Sequence, residues 1–495
     1  MAWWRNILAN VFGRRSGSGG TVMVRGRYDA AQTTEQNQRF WAYAELSSAE
    51  TGNSPSVRAT LRARSRYIAQ NNAYAAGMLQ TLAHHTIGVG PRLQIDLGDD
   101  RLNQRVEGMW NTWSAAVDLA GKLRTMTITR ARDGEAFALL TTSQTLPTSV
   151  QLTLQLIDAE RVTSPDLITP DKRRVDGIRL NEIGEPVAYE ILRDHPYGQN
   201  PSREVIVVPA ARVMHWFRQD RPEQYRGVPE LAPALIQFEH LTRFTRATLT
   251  AAEAAASFAL VFKTTMPPGG SAAPVEPGTM MDIEQGAAIF IPEGWEAEQV
   301  KTEQPNSQYE MIIRTLVREI ARALCMPYHV AACDATGANF ASGQLDAQPY
   351  YRAIEVARDA LERQLDKVLV EFMREAAAVL DMELPSYPSH EWYWPAIGEH
   401  TDPSRVADAT STLYQAGLTT AKRHYAMEGA DWQREFEQRA REWDYLIDYA
   451  IGRGLSLEQA FAFAMGKTPP VVPGGSIPRP SGGNNGKRIP VMEET

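Results

Sequence analysis

Ser307-Gln-Tyr-Glu-Met-Ile-Ile-Arg-Thr-Leu-Val-Arg-Glu-Ile-Ala-Arg322, followed after Pro327 by Cys333-Asp-Ala-Thr-Gly-Ala-Asn-Phe340, is the stretch on which the reading of this chain turns. Its first part predicts an amphipathic helix over residues 307–325. Ile312, Ile313, Leu316, Val317 and Ile320 fall on one side. Glu310, Arg314, Arg318 and Arg322, spaced by four, form a charged stripe on the other. Pro327 ends the pattern, a loop follows, and helical periodicity resumes over residues 341–380 with an interruption expected near Pro349. Upstream, residues 229–262 predict another long helix. Pro229 stands where a first helical residue needs no N–H, and small Ala and Thr residues fill its second half. A Pro/Gly/Ala-rich insertion, residues 264–277, breaks that helix. A small hairpin is then expected from Ala287-Ala-Ile-Phe-Ile291, through Pro292-Glu293-Gly294, into residues 295–300. Two rods, an insertion and an internal loop make a scaffold, with no catalytic constellation embedded in them.

The totals agree with a large chain holding real cores. At 495 residues, two to four domains are expected. Hydrophobic residues make up 43% and charged residues 22%, the balance of a soluble globular protein. A net charge of −8 argues against gripping nucleic acid over the whole surface, while leaving room for a local basic patch. Cys325 and Cys333 are the two cysteines, too few for a disulfide framework, and a reducing compartment is expected. No apolar run approaches ~18 residues, so no transmembrane helix and no membrane partner are expected. Met1 to Phe12 is amphipathic, lacks the order of a signal peptide, and reads as a short terminal helix.

Along the remaining chain, residues 14–20 form a basic Gly/Ser linker within a flexible segment 1–25. Helical periodicity covers residues 56–87 and ends at Gly88-Val-Gly90-Pro91; residues 101–117 form a second helix carrying Trp110 and Trp113. From residue 126 to 216 the period moves towards two. Short strands are expected at 137–140, 152–157, 177–180, 187–192 and 205–208, in a mostly antiparallel sheet. Residues 403–466 hold three more helical patterns, and the Pro/Gly/Asn-rich tail from 468 reads as disordered.

Several constellations could carry chemistry, and each has a plainer reading. Cys325, His329 and Cys333 are four apart, but Pro327 breaks a shared helix and a fourth ligand is missing, so no metal or other cofactor is assigned. Met465-Gly-Lys-Thr468 lacks the upstream glycine of a phosphate-binding loop and runs into Pro469. His84-His85 have no acidic or cysteine partner at ligand spacing. Asp133-Gly134-Glu135 reads as a turn feeding the strand at Phe137. The Arg314, Arg318, Arg322 stripe has two open readings: a solvated face paired to Glu310, Glu319 or a neighbouring helix, or a basic ring that meets phosphates when subunits surround a channel.

Taken in order, a set of short motifs resembles the lambda family of tailed-bacteriophage portal proteins, over about residues 62–453. They are Arg64-Ser-Arg-Tyr-Ile-Ala-Gln-Asn-Asn-Ala73, Gly88-Val-Gly90, Trp110-Asn-Thr-Trp113 and Asp118-Leu-Ala-Gly121. Asp133-Gly-Glu135, Leu154-Gln-Leu-Ile-Asp158, Gly177-Ile178 and Gly184-Glu-Pro-Val-Ala-Tyr189 continue the series. The most specific is Arg221-Pro-Glu-Gln-Tyr-Arg-Gly-Val-Pro-Glu-Leu-Ala-Pro233, followed downstream by residues 320–328 and Asn339-Phe-Ala-Ser342. Ala341-Ser342-Gly343 departs from the Ser-Ser-basic run that many relatives carry.

The resemblance implies an α+β portal-type subunit that assembles into a ring, typically of twelve copies, around a channel for double-stranded DNA. The implied parts are a flexible segment 1–25, a mixed α/β wing 26–229, a stem helix 230–262 and a small β clip 263–306. They continue as a second stem helix 307–326, a tunnel loop 327–343, a long helix 344–395 returning to the wing, a helical crown 396–467 and a disordered tail. Arg314, Arg318, Arg322, Thr336 and Asn339 are the expected channel residues. Ile289, Phe290, Glu293, Trp295 and Glu298 of the clip are the expected docking residues. Implied partners are the terminase large subunit, the major capsid and scaffolding proteins, and head-completion proteins. The implied location is a capsid vertex of the virion, with assembly in the host cytoplasm. The competing readings are a ring-forming head–tail adaptor without DNA contact and a nucleic-acid-processing enzyme. Against the enzyme stand the missing phosphate-binding loop and the missing two-metal carboxylate cluster.

Overall fold

The computed structural model describes residues 29–164, 173–199, 201, 203–257, 261–264, 295–298, 307–337, 339–397, 403–427, 430 and 432–452. It divides into two units, Met1–Ser54 and Pro55–Thr495. The described part of the first holds a 3-10 turn, Asp29–Ala31, and one helical turn, α1 (Ala49–Gly52), which Ser48 caps by accepting from Thr51 N–H. Phe40, Tyr43 and Leu46 are exposed there, and Phe40 meets Trp41 edge to face at 4.7 Å.

The second unit opens with two helices, α2 (Pro55–Asn71) and α3 (Ala73–Ile87). The single pattern expected over 56–87 is split because Asn72 takes an extended conformation and its side chain caps α3 by accepting from Ala75 N–H. Then come β1 (Arg92–Asp96), α4 (Asp100–Ala116) and α5 (Leu119–Asp133). The last is a correction, since period-two structure was expected from residue 126. Thr125, Thr127, Ile128 and Thr129 favour a strand locally. The helix wins because Asp118 caps it on Gly121 N–H, because Gly134 closes it at φ 96°, and because Leu123, Met126 and Ala131 bury against the core.

Two antiparallel sheets follow. The first has order β3-β2-β8, from β2 (Glu135–Thr142), β3 (Leu152–Ile157) and β8 (Val213–Phe217), a strand the sequence reading did not separate. The second has order β4-β5-β6-β7, from β4 (Arg174–Val175), β5 (Ile178–Leu180), β6 (Pro186–Leu192) and β7 (Val205–Pro209).

After a 3-10 turn at Ala232–Ala234, α6 runs over Leu235–Ser257, so it starts later and ends earlier than expected. Residue 262, expected in that helix, lies in β9 (Val261–Thr264). This pairs antiparallel with β10 (Trp295–Glu298), with Trp295 opposite Thr264. The expected partner of β10, residues 287–291, lies outside the described residues. Next are α7 (Ser307–Arg322), the short α8 (Tyr328–Ala332) inside the expected loop, and α9 (Phe340–Leu380). Pro349 does not interrupt α9. It is exposed, so the one backbone hydrogen bond it removes opens towards solvent and nothing buried is orphaned. β11 (Ser389–Tyr393) pairs with β1, joining residues almost 300 apart in the chain. The helices α10 (Pro403–Gln415), α11 (Ala421–Met427) and α12 (Trp432–Ile451) follow.

Among the described residues the buried apolar side chains form three clusters. The largest packs α4 and α5 on the β3-β2-β8 sheet and the C-terminal half of α9, around Trp110, Trp113, Leu365 and Phe372. Trp110 lies 4.8 Å from Trp113 and 5.0 Å from Phe372 between ring centres, and Trp113 Nε1–H donates to Leu152 O. The second joins α3, α6, α7, α8 and the start of α9 through Met78, Phe238, Ile320, Leu324 and Tyr350. The third draws on both sheets, with Phe137, Ile157 and Val213 from the three-stranded one and Ile178, Tyr189 and Ile191 from the four-stranded one.

Candidate nucleic-acid interface

The motif residues first converge on a buried ionic hub. Glu135, fully buried at the start of β2, accepts from Arg226 Nε and Nη2 at 3.0 and 2.6 Å, from Gly227 N–H at 3.0 Å, and from Arg62. His215 Nε2–H donates to it at 3.1 Å, which leaves Nδ1 to accept from the Tyr189 hydroxyl at 3.2 Å. Asp133 holds Arg66 and Arg132, and Asp176 holds Arg226 and Arg58. Burial alone raises the Glu135 carboxyl, but Arg226 and Arg62 overcome it and hold the group well below the ordinary value. Burial and the neighbouring Arg226 push Arg58 down to about 10.

The glycines in two of the motifs have one cause. A Cβ on Gly227 would lie 2.0 Å from Gly134 O, and one on Gly134 would lie 2.6 Å from Val228 C. The Asp133-Gly-Glu135 turn and the Arg226-Gly-Val-Pro229 segment therefore cross at backbone contact. Sequence reasoning treated Asp133-Gly134-Glu135 as a turn alone and missed that both carboxylates face arginines. The signal available was that each arginine-bearing motif came from a different helix or loop.

This hub sets the start of α6, because Glu230, which precedes it, pairs with Arg130 of α5 at 3.0 Å. It is closed to ligands. The open charged surface lies on α7. Val317 and Ile320 are buried there, while Arg318 and Arg322 are exposed. Among the described residues, neither Arg318 nor Arg322 has an ion-pair partner. Arg314 is different: its Nη2 donates to Glu310 at 2.7 Å and lies 3.9 Å from Asp334 Oδ2. Arg314 and Arg318 both stand over the Tyr328 ring, each 5.4 Å from its centre. The Tyr328 hydroxyl donates to Asp334 Oδ2 at 3.2 Å. Burial, then the bond to Asp334, raises that phenol.

Thr336 sits in the same loop, its N–H donating to Asp334 Oδ1 at 2.8 Å; the Thr336 side chain first, and then this N–H, lowers the Asp334 carboxyl. Asn339 starts α9 through a reciprocal cap: its side chain accepts from Ser342 N–H, and Ser342 Oγ accepts from Asn339 N–H. Four of the five channel candidates are thereby placed on or beside one face. Asn339 is committed to its helix cap. Of the docking candidates, Ile289, Phe290 and Glu293 lie outside the described residues; Trp295 and Glu298 bound β10. Among the described residues no group of three His, Cys, Asp or Glu side chains is arranged to hold a metal ion, and no helix is long and apolar enough to cross a membrane.

The chain resembles solved components of gene transfer agent particles. One, from the virion of the native particle, is 13% identical, covers 74% of this chain and 92% of its own, and gives a TM-score of 0.44. Another, from the neck of the empty particle computed with C6 symmetry, is 12% identical, with 74% and 93% covered and a TM-score of 0.45. A third, from the neck of the native particle computed with C12 symmetry, is 12% identical, with 72% and 89% covered and a TM-score of 0.40. No curated protein sequence matches the chain. The family model described as phage portal protein, lambda family, matches residues 36–358. That span takes in the ionic hub, α6, α7 and the loop between α7 and α9, and the chain belongs to the lambda family of phage portal proteins.

Proposed function

We propose that twelve copies of this chain close into a ring at one capsid vertex and that double-stranded DNA passes through its centre during packaging and ejection. The subunit acts as a conduit and docking hub, without catalysis. In this reading the wing comprises residues 26–229 and the C-terminal half of α9, and the stem comprises α6 and α7. The clip is 263–306, the tunnel loop 327–343 and the crown 396–467. The terminase large subunit docks during packaging and head-completion proteins dock afterwards, both on the clip; the major capsid and scaffolding proteins surround the ring. Assembly takes place in the host cytoplasm.

The observation that carries the reading is the two-sided chemistry of α7. Its inner side is buried in the second core cluster. Its outer side offers Arg318 and Arg322 to solvent in a chain whose net charge is −8. A passage for moving DNA needs few phosphate contacts, because each one adds affinity and salt dependence. Apolar side chains left exposed on the long helices, Ile236 and Leu249 on α6 and Leu345 and Val356 on α9, support burial against neighbouring copies.

Electron microscopy of the purified full chain, viewed down the particle axis, tests this together with mass measurement. The expected result is a ring with an open centre and a mass of twelve subunits. A stable monomer under assembly conditions, or a metal-dependent nuclease, would sink it. Rings that retain packaging after Arg318→Gln/Arg322→Gln would place DNA elsewhere.

A further inference from the structure

We infer that Asp334 is an internal competitor for phosphate that keeps Arg314 in reserve and so sets how weakly the α7 face grips DNA. This rests on the reading that α7 faces the duplex.

The three arginines of the stripe share spacing but not state. Arg322 is exposed and has no ion-pair partner among the described residues. Arg318 leans on the Tyr328 ring. Arg314 is held by two carboxylates, Glu310 at 2.7 Å and Asp334 at 3.9 Å, and stands over the same ring. Its Nε–H is buried without a partner among the described residues, so its capacity to donate is not filled.

Asp334 is fixed in place by several groups. The Tyr328 hydroxyl donates to Oδ2 and Thr336 N–H donates to Oδ1. Cys333 before it takes φ 52° and Gly337 after it takes φ 80°, so the turn that presents the carboxylate is specifically shaped. A carboxylate offers a guanidinium the same anionic oxygens that a phosphate does. An arriving phosphate must displace Asp334 from Arg314 and meet the repulsion of Asp334 itself. Glu310 is a helix neighbour at i−4 in an exposed pair, whereas Asp334 stands in the loop, held by Tyr328 and Thr336 at 3.9 Å from Arg314, so a phosphate can take Arg314 from it while Asp334 stays in place. Two of the three cations are thus moderated by Tyr328 and Asp334, and Arg322 has no ion-pair partner among the described residues. The face attracts a polyanion without holding it at every step.

The test uses assembled rings of the full chain and a blunt, fluorescently labelled DNA duplex, with binding read by anisotropy across a salt series. Asp334→Asn keeps the size of the side chain and an Oδ1 that accepts from Thr336 N–H, while its Nδ2–H2 can donate to the Tyr328 hydroxyl, which turns to accept. It is expected to tighten binding severalfold. It should also steepen the plot of log affinity against log salt by about 0.9 for each subunit that gains a phosphate. Adding Arg314→Gln to Asp334→Asn should erase the gain; a gain that persists overturns the inference, because another cation is then the recipient. If Arg318→Gln/Arg322→Gln weakens binding but Asp334→Asn leaves it unchanged or weaker, the inference is overturned while the channel reading stands. If neither change moves binding, the channel reading falls and the inference falls with it.

Discussion

Replacing Glu135 by Gln is the sharpest test of how this subunit is held together. The carboxylate is fully buried, and its arginine partners are nearly so, Arg62 at 5% and Arg226 at 2% side-chain exposure. The amide keeps the volume and can still accept from Gly227 N–H. It removes the charge that offsets two buried guanidiniums, and its NH2 group is a donor aimed at donors. Removing one partner of a buried ion pair costs about 3–5 kcal/mol. At roughly 2 °C per kcal/mol for a large unit, the melting midpoint should fall by about 6–10 °C. The assay is thermal unfolding of the purified subunit near neutral pH, with circular dichroism to confirm that the variant folds. The pH dependence supplies a second arm. The Glu135 carboxyl is held well below its ordinary 4.5, so its stabilisation is full above that value and is lost as pH falls beneath it. E135Q should lack that acid loss. A midpoint within about 2 °C of the parent, a shift worth about 1 kcal/mol or less, would refute the claim that the hub is energetically central.

Other outcomes follow from the same packing. Gly227→Ala puts a methyl 2.0 Å from Gly134 O, so the two segments must separate. Soluble protein should be lost or its melting should fall at least as far as for E135Q, and a variant with parental melting contradicts the crossing. His215 is buried and its imidazolium is disfavoured by that burial despite Glu135, so the folded state refuses a proton that the unfolded chain accepts below about 6.5. Stability should therefore decline as pH drops from 7 towards 5, and His215→Gln should flatten that slope, with burial-lowered His85 leaving a remainder. An unchanged slope in H215Q assigns the whole effect elsewhere. Trp110→Ala empties a fully buried site against Trp113 and Phe372 and should cost about 3–5 kcal/mol, read as a lowered melting midpoint.

The long helices, most strands and the loop from Cys333 to Asn339 were legible because each rests on local periodicity or on a Pro or Gly signal, while the short α8 just after Pro327 was not separated from that loop. α5 was hidden by its Thr-rich centre, whose helical state depends on the core it covers and on caps at Asp118 and Gly134. The β1–β11 pair could not be read, since Arg92–Asp96 is completed by Ser389–Tyr393 and neither short run announces its partner. The Pro349 break was over-read, because local chemistry cannot say whether a proline faces solvent. At the candidate site, helical spacing aligned the three arginines but could not distinguish their environments. What separates them is Tyr328 and Asp334, which reach α7 only once α8 has folded back beside it.

α9 has a mechanical consequence. Its 41 residues span roughly 60 Å. Tyr350 and Ile354 near one end belong to one core cluster, while Leu365, Phe372 and Ala376 near the other belong to another. A continuous helix resists stretching far better than a loop does, and close-packed side chains at both ends oppose slip. Its first cap, Asn339, closes the loop that carries Asp334. A tug on that loop is therefore not absorbed locally. It travels as an axial load to the tryptophans of the distant core, so the subunit behaves there as a strut with one end at the basic face.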